Sequence, residues 1–189
     1  MRKYIKEKNV ISILMIFFIV LTSCSASDEY DLFDSNRIYN GFSNADYDLS
    51  IEECEKQGFV IIEGLEITEN GLVLDSFIQK SSNEKNSYIR IAHFNDDSSE
   101  IAFYSDLVFD DDGYSYFHDD QKDMKKIPYK YLKILEGSWG MPLQEYKMIV
   151  ICDRESLTFD EVNMSMVSSN TEVINKIGRF DIIIFKYKY

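Results

Sequence analysis

Apolar positions along this chain fall into two alternations, one of period two and one of period 3.6, with breaks between them. Residues 87–95, SYIRIAHFN, alternate Ile89, Ile91 and His93 against Tyr88, Arg90, Ala92 and Phe94. Residues 101–109 set Ile101, Phe103, Ser105, Leu107 and Phe109 against Ala102, Tyr104, Asp106 and Val108, and 113–118 put Tyr114, Tyr116 and His118 on one side. A period of two is the mark of a strand. Turn-forming stretches, Asp96 to Ser99 and Asp110-Asp111-Asp112-Gly113, separate the three runs, which predicts antiparallel hairpins and a meander. Further strands are expected at 59–67, 145–152 and 179–188, each rich in β-branched and aromatic residues.

Helical signals lie between these runs. Ser50-Ile51-Glu52-Glu53 and Thr158-Phe159-Asp160-Glu161 both fit the capping box, in which hydroxyl and carboxylate each satisfy one orphan backbone N–H. The first predicts a short helix to about Gln57 stopped by Gly58. The second predicts a helix with Phe159, Val162, Met166 and Val167 on one face. Asn70 is the expected cap of a helix over 71–80 whose Leu74, Phe77 and Ile78 share a face. Pro128 suits the first turn of a helix over 128–136 ended by Gly137. Helices mixed with strands, without regular βαβ alternation, give an α+β fold. The expectation is one antiparallel sheet of five to six strands, with three to four short helices mainly on one face.

The N-terminus reads differently. Residues 1–9 hold Arg2, Lys3, Lys6 and Lys8 against Glu7, and the 12-residue run VISILMIFFIVL follows. About 20 apolar residues are needed to span a bilayer, so this length suits a signal peptide. Leu21-Thr22-Ser23-Cys24 then resembles the bacterial lipobox, in which the cysteine takes a diacylglyceryl group and becomes the first mature residue. An ordinary secretory signal with an incidental Cys24 is the plainer alternative. Three segments result: a lipoprotein signal peptide at 1–23, lipidated Cys24 with a flexible acidic tether over 24–49, and a single extracytoplasmic domain at 50–189. A tether of that length spans roughly 28 Å root-mean-square. Its scattered aromatics, Phe33, Tyr39 and Phe42, are candidates to dock on the domain.

Composition narrows the partners. The chain has 189 residues, 14% of them aromatic, and a formal net charge of −13. Loss of residues 1–23 removes four basic groups and one acidic group, so the mature charge is −13 − 3 = −16. Nucleic-acid binding depends on Lys and Arg against phosphate, and this balance opposes it. A well-solvated surface is the simple reading, and a cationic partner or a divalent cation the sharper one. Cys54 and Cys152 remain after Cys24; the compartment permits a disulfide, while the apolar surroundings of both favour buried thiols.

Catalytic chemistry has thin support. The acids of Asp110-Asp111-Asp112-Gly113 are contiguous, whereas a calcium loop spaces its oxygens at alternate positions, so a hairpin turn accounts for them better. His118-Asp119-Asp120 at a strand end, with His93 on a neighbouring strand, offers imidazole and carboxylate for a general base or a metal. That reading requires the two rings to converge in a concave pocket. Two histidines alone are a weak metal signal, and strand-end polarity accounts for them better. There is no G-x-S-x-G, no Gly-rich phosphate loop, and nothing in the sequence that places Cys54 or Cys152 beside a histidine. Trp139, in a loop after a predicted helix stop, either packs locally or anchors a partner.

Ile89-Arg90-Ile91, then Ser105-Asp106-Leu107-Val108-Phe109-Asp110, then Tyr116-Phe117-His118-Asp119-Asp120 with Asp123 resemble the strand, strand and turn pattern of domain of unknown function 4362. That family comprises uncharacterised secreted and lipoprotein chains of low-GC Gram-positive bacteria. Val60-Ile61-Ile62-Glu63-Gly64 is similar to its opening strand, with Glu63 where the family pattern has histidine. Leu157 to Val162 followed by Met166-Val167-Ser168-Ser169 is similar to a C-terminal segment of longer members. The resemblance covers about 59–185 and implies a compact extracytoplasmic domain. It carries no activity and no functional residue.

The sequence thus leads to a protein anchored by lipid to the outer face of a bacterial membrane, a non-enzymatic binding or interaction module without cofactor or metal. Two other classes stay open. One is a His-dependent or metal-dependent enzyme. The other is a structural envelope lipoprotein, which would expose a large apolar patch. Within the leading class, an acidic anchored domain could sequester a basic secreted toxin or enzyme.

Overall fold

Ser50 opens the first helix as a complete capping box, its side chain accepting from the Glu53 N–H while Glu53 reaches back to the Ser50 N–H. The computed structural model describes residues 32–95, 100–121 and 124–188, and the chain divides into Met1–Leu32 and Phe33–Tyr189. The signal peptide, Cys24, the turn at 96–99 and Asp123 lie outside the described residues.

In chain order the elements are α1 (Ile51–Lys56), β1 (Val60–Glu63), β2 (Glu66–Glu69), α2 (Gly71–Ser82), β3 (Ser87–Phe94), β4 (Ile101–Asp110) and β5 (Gly113–His118). They continue with β6 (Tyr131–Trp139), β7 (Gln144–Cys152), α3 (Phe159–Val167), α4 (Thr171–Ile177) and β8 (Phe180–Tyr187). The fold is α+β. It has two sheets rather than one: five strands in the order β2-β1-β3-β4-β5, and three in the order β6-β7-β8. The larger sheet is mixed, because β1 pairs with β3 in parallel, from Val60 opposite Ile91 to Glu63 opposite Phe94. A parallel pair needs a long crossover, which β2 and α2 supply.

Three local expectations are corrected. The run 59–67 is not one strand. Gly64 adopts φ +57°, the left-handed region glycine enters freely, and the chain reverses there so that Ile62 pairs with Ile67. Asn70 stands at the N-cap of α2, but its side chain makes no capping hydrogen bond; its amide Nδ2 donates instead to the carbonyls of Glu55 and Phe59, both at 2.9 Å, and so ties down the end of α1. The helix expected at 128–136 is replaced by strand β6. Its residues alternate, Leu132 toward one core and Tyr131 and Leu135 toward another. Nine consecutive pairings with β7 then outweigh a weak local helix preference. Gly137 stands mid-strand rather than at a helix end, because any Cβ there would collide with the Phe159 ring.

Burial on both faces of the larger sheet explains its near-continuous apolar strands. One face meets α2 and the smaller sheet, with Val60, Ile91, Leu107, Leu74, Phe77, Ile149 and Ile151 in one cluster. The other packs Cys54, Ile61, Ala92, Phe94 and Tyr104 under α1 and the segment Phe42–Leu49. A third cluster lies on the far side of the smaller sheet, where Met148, Val150 and Cys152 meet Leu157, Phe159, Val162 and Ile177. The helices therefore serve several faces. The capping box at Thr158 forms as read, but only Phe159 and Val162 of its apolar face are buried, and Met166 and Val167 stay exposed.

Segment 33–49 packs on the domain. Tyr39 is buried and stacks on Phe117 with ring centroids 4.1 Å apart. Its hydroxyl donates to Asp106 at 2.5 Å, and Arg90 donates to the Gly41 carbonyl at 2.7 Å.

Candidate functional site

The β6–β7 hairpin projects apolar side chains into solvent. Its turn reads Gly140-Met141-Pro142-Leu143, and Met141 is fully exposed (101%) while Leu143 is 75% exposed. Turns are ordinarily polar, so two large apolar residues at a tip depart from the usual pattern, as the exposed Leu72 and Val167 do elsewhere. Trp139, the last residue of β6, packs locally and also reaches solvent. Its ring lies 6.0 Å from those of Tyr146 and Phe185, yet it remains 36% exposed. Tyr146 stacks on Phe185 at 4.6 Å and lies 4.9 Å from Tyr187, so an aromatic row backs the tip.

Beside the tip is a surface depression of about 560 Å³ lined by Glu66, Gln144, Glu145, Tyr187 and Lys188. It joins β2, an edge strand of the larger sheet, to β7 and to β8, an edge strand of the smaller one. Lys188 donates to Glu136 at 2.7 Å and lies 4.0 Å from Glu145. That contact holds the Glu136 carboxyl below its usual range and raises Lys188. Sequence reasoning singled out Trp139 but passed over Met141 and Leu143. The signal was present in two apolar residues interleaved with Gly140 and Pro142.

The histidines form a second, buried constellation. Ile91 pairs with Ser105, and Ser105 with His118, so His93, Ser105 and His118 share the inner face of the larger sheet. The two rings are not on opposite faces. Ser105 Oγ stands 2.8 Å from His93 Nε2 and accepts from the Tyr116 hydroxyl at 2.9 Å. With its proton on Nδ1, His93 accepts from Ser105, giving a chain Tyr116 to Ser105 to His93. Phe103 stacks on His93 at 4.0 Å, and Tyr116 meets His118 edge-on at 4.5 Å. Burial, aided by the neighbouring His118, pushes His93 down to about 4. Burial lowers His118 as well, against the opposing pull of Asp120, Asp181 and Asp119. Both rings are therefore neutral at pH 7. Ser105 is fully buried, which suits a hydrogen-bonded core relay better than a nucleophile that must meet substrate. The depression described above is lined by neither histidine. Among the described residues no group of three or more His, Cys, Asp or Glu is placed to hold a metal ion.

Two acids of the acidic turn are paired by cations from other segments. Lys126 Nζ lies 2.5 Å from Asp110 and 2.8 Å from Asp112, and Arg37 reaches Asp112 at 2.6 Å. These cations hold the Asp112 carboxyl below its usual range. Cys54 and Cys152 are buried free thiols in separate clusters, both pushed up by burial.

No family model, curated protein or solved structure matches the chain. The residues that carry the resemblance to domain of unknown function 4362 have structural work in this fold. Arg90 and Asp106 form an ion pair on the outer face, while Ser105, Tyr116 and His118 cluster on the inner one.

Proposed function

We propose that this chain is a bacterial lipoprotein, lipidated at Cys24 and held at the outer face of the cell membrane, whose α+β domain is a non-enzymatic interaction module. The observation that carries the reading is the apolar tip formed by Trp139, Met141 and Leu143. Fully burying a side chain of this size is worth about 1.5–3 kcal/mol, so a partner that covers Met141 and Leu143 gains several kcal/mol without any rearrangement of the domain. An apolar projection ringed by polar residues is the usual form of an association surface.

The packed segment 33–49 bears on how such a module is presented. Chain geometry allows only about 30 Å between Cys24 and Phe33. A lipidated chain therefore keeps the domain close to the headgroups, where its partners are surface or secreted molecules. Crosslinking on intact cells tests the reading. The wild-type chain is expected to capture a discrete protein that the Met141→Ser/Leu143→Ser variant does not. Equal capture by both would reject the tip as the binding surface.

A second reading, a His-dependent enzyme, would draw on the His93–Ser105–Tyr116 chain. It requires that the buried Ser105 become accessible. Labelling of Ser105 by a fluorophosphonate in the native protein would support it, and labelling only after unfolding would dismiss it.

A further inference from the structure

Met141 puts a thioether at the crest of the β6–β7 turn, with its side chain as open to solvent as in an unfolded peptide. The other described methionines are better covered. Met164 and Met166 on α3 are 52% and 42% exposed, Met124 is half-buried, and Met148 is wholly buried in the cluster with Val150, Leu157 and Val162. Cys54 and Cys152 are buried too, and burial opposes the thiolate that would react with an oxidant. Among the described residues, the sulfur most accessible to an oxidant in solution therefore stands in the middle of the apolar tip. Its oxidation leaves the core untouched, since Met148 is the methionine that packs there.

We infer that Met141 is an oxidation site at which a peroxide switches the tip from binding to non-binding, by converting the thioether to a sulfoxide. The inference rests on the interaction reading above and adds its regulation. The step is a two-electron oxidation. A sulfur lone pair attacks one peroxide oxygen, and an S–O bond forms as the O–O bond breaks. The displaced hydroxide takes the proton of the transferred hydroxyl and leaves as water, so sulfur is oxidised and the peroxide reduced. The product is a polar group where the partner meets an apolar one. A surface that covers Met141 and Leu143 then buries a sulfoxide oxygen without a donor, which removes the gain from that contact.

The site is tested first, on full-length protein in phosphatidylcholine nanodiscs treated with hydrogen peroxide. After tryptic digestion, mass spectrometry reads the gain of one oxygen, and the peptide 134–147 carries Met141 as its sole methionine. Met141 is expected to oxidise at least about twice as fast as Met164 or Met166, and Met148 only after unfolding. Met164 or Met166 oxidising ahead of Met141 would overturn the site.

The switch is tested by crosslinking on intact cells, each chain being compared with its own untreated capture. Mild peroxide is expected to lower capture by the wild type roughly tenfold, the loss of one buried apolar side chain. Met141→Leu should hold its untreated level through the same treatment, and Met141→Gln, with a polar oxygen at similar reach, should capture poorly without any peroxide. Position 141 is exposed, so these variants keep the fold. Peroxide damage to the partner strikes every chain alike. Equal loss in wild type and Met141→Leu, or undiminished capture by wild type whose Met141 is oxidised, would overturn the switch and leave the interaction reading standing. Capture absent from untreated Met141→Leu alone would show that the partner does not read apolar bulk there, and would overturn it too. No capture by untreated wild type would reject the interaction reading itself, and the switch with it.

Discussion

Arg90 and Asp106 face each other across β3 and β4 as a two-pronged ion pair, Nε to Oδ1 at 2.9 Å and Nη2 to Oδ2 at 2.7 Å, with the carboxylate fully buried. Phe42, Phe59 and Tyr104 set their rings 5.2–5.7 Å from the guanidinium. Tyr39 completes the carboxylate from segment 33–49, and the same contact raises its phenol far above its ordinary range, burial being the larger cause. One buried pair thus joins two strands and holds the N-terminal segment against the sheet.

Asp106→Asn leaves a guanidinium in that site without its counter-charge. The expected cost is about 3–5 kcal/mol in urea unfolding, since a buried charge is stranded. Arg90→Met/Asp106→Leu, which removes both charges, should cost less than Asp106→Asn alone. Limited trypsin digestion should cut after Arg37 sooner in Asp106→Asn than in wild type. A resistant segment in that variant would show that other contacts hold it.

Gly137 and Phe159 define the contact between β6 and α3. Gly137→Val is expected to destabilise by about 1–3 kcal/mol through overpacking, read as a lowered thermal midpoint. Partial recovery in Gly137→Val/Phe159→Leu would assign the loss to that contact, whereas an additive double mutant would place it elsewhere.

Acid should weaken the fold through the histidines. Both have folded-state pKa values below the ordinary 6.5, His93 at about 4. Between about 4 and 6.5 the unfolded chain binds more protons, so stability present above 6.5 falls with pH and levels off near 4. The expected loss over that range is on the order of 3 kcal/mol for His93. His93→Gln keeps a partner for Ser105 and cannot titrate, so its stability between pH 7 and 5 should be the flatter. Parallel pH profiles for the two chains would contradict this.

Cys54 and Cys152 should resist a thiol reagent in the native protein, and both should react once urea unfolds it. Native mass spectrometry showing a chain two mass units lighter, with no reactive thiols after unfolding, would reveal a disulfide instead.

Local features were legible in the sequence. The capping boxes at Ser50 and Thr158 and the meander from Ser87 to His118 depend on neighbours within a few residues, and they appear where the pattern puts them. What escaped depends on distant partners. The parallel pairing of Val60 with Ile91 has no local signature, nor has the division into two sheets. Tyr131–Trp139 carries a mixed period, and β7 decides it. The helix Thr171–Ile177, opened by Asn170 accepting from the Glu172 N–H, also went unread, its cap being a single Asn in a polar stretch. Among the aromatics of segment 33–49, Phe33, Tyr39 and Phe42 do dock, as their apolar character suggested. For the candidate site, Trp139 was visible as the lone tryptophan, although it ends strand β6 rather than lying in a loop. The convergence of Glu66 with Glu145 and Lys188 was not, because those residues come from three separate strands or strand ends.

The central claim is that the Trp139–Leu143 tip is a binding surface. Its most direct test places a photo-crosslinking amino acid at position 141 and, in a second chain, at position 127, where Ile127 is also exposed but precedes β6 at its opposite end. After irradiation on intact cells, a discrete adduct from position 141 and none from 127 is the predicted result. Adducts of equal yield from both positions, or none from 141, would contradict the account.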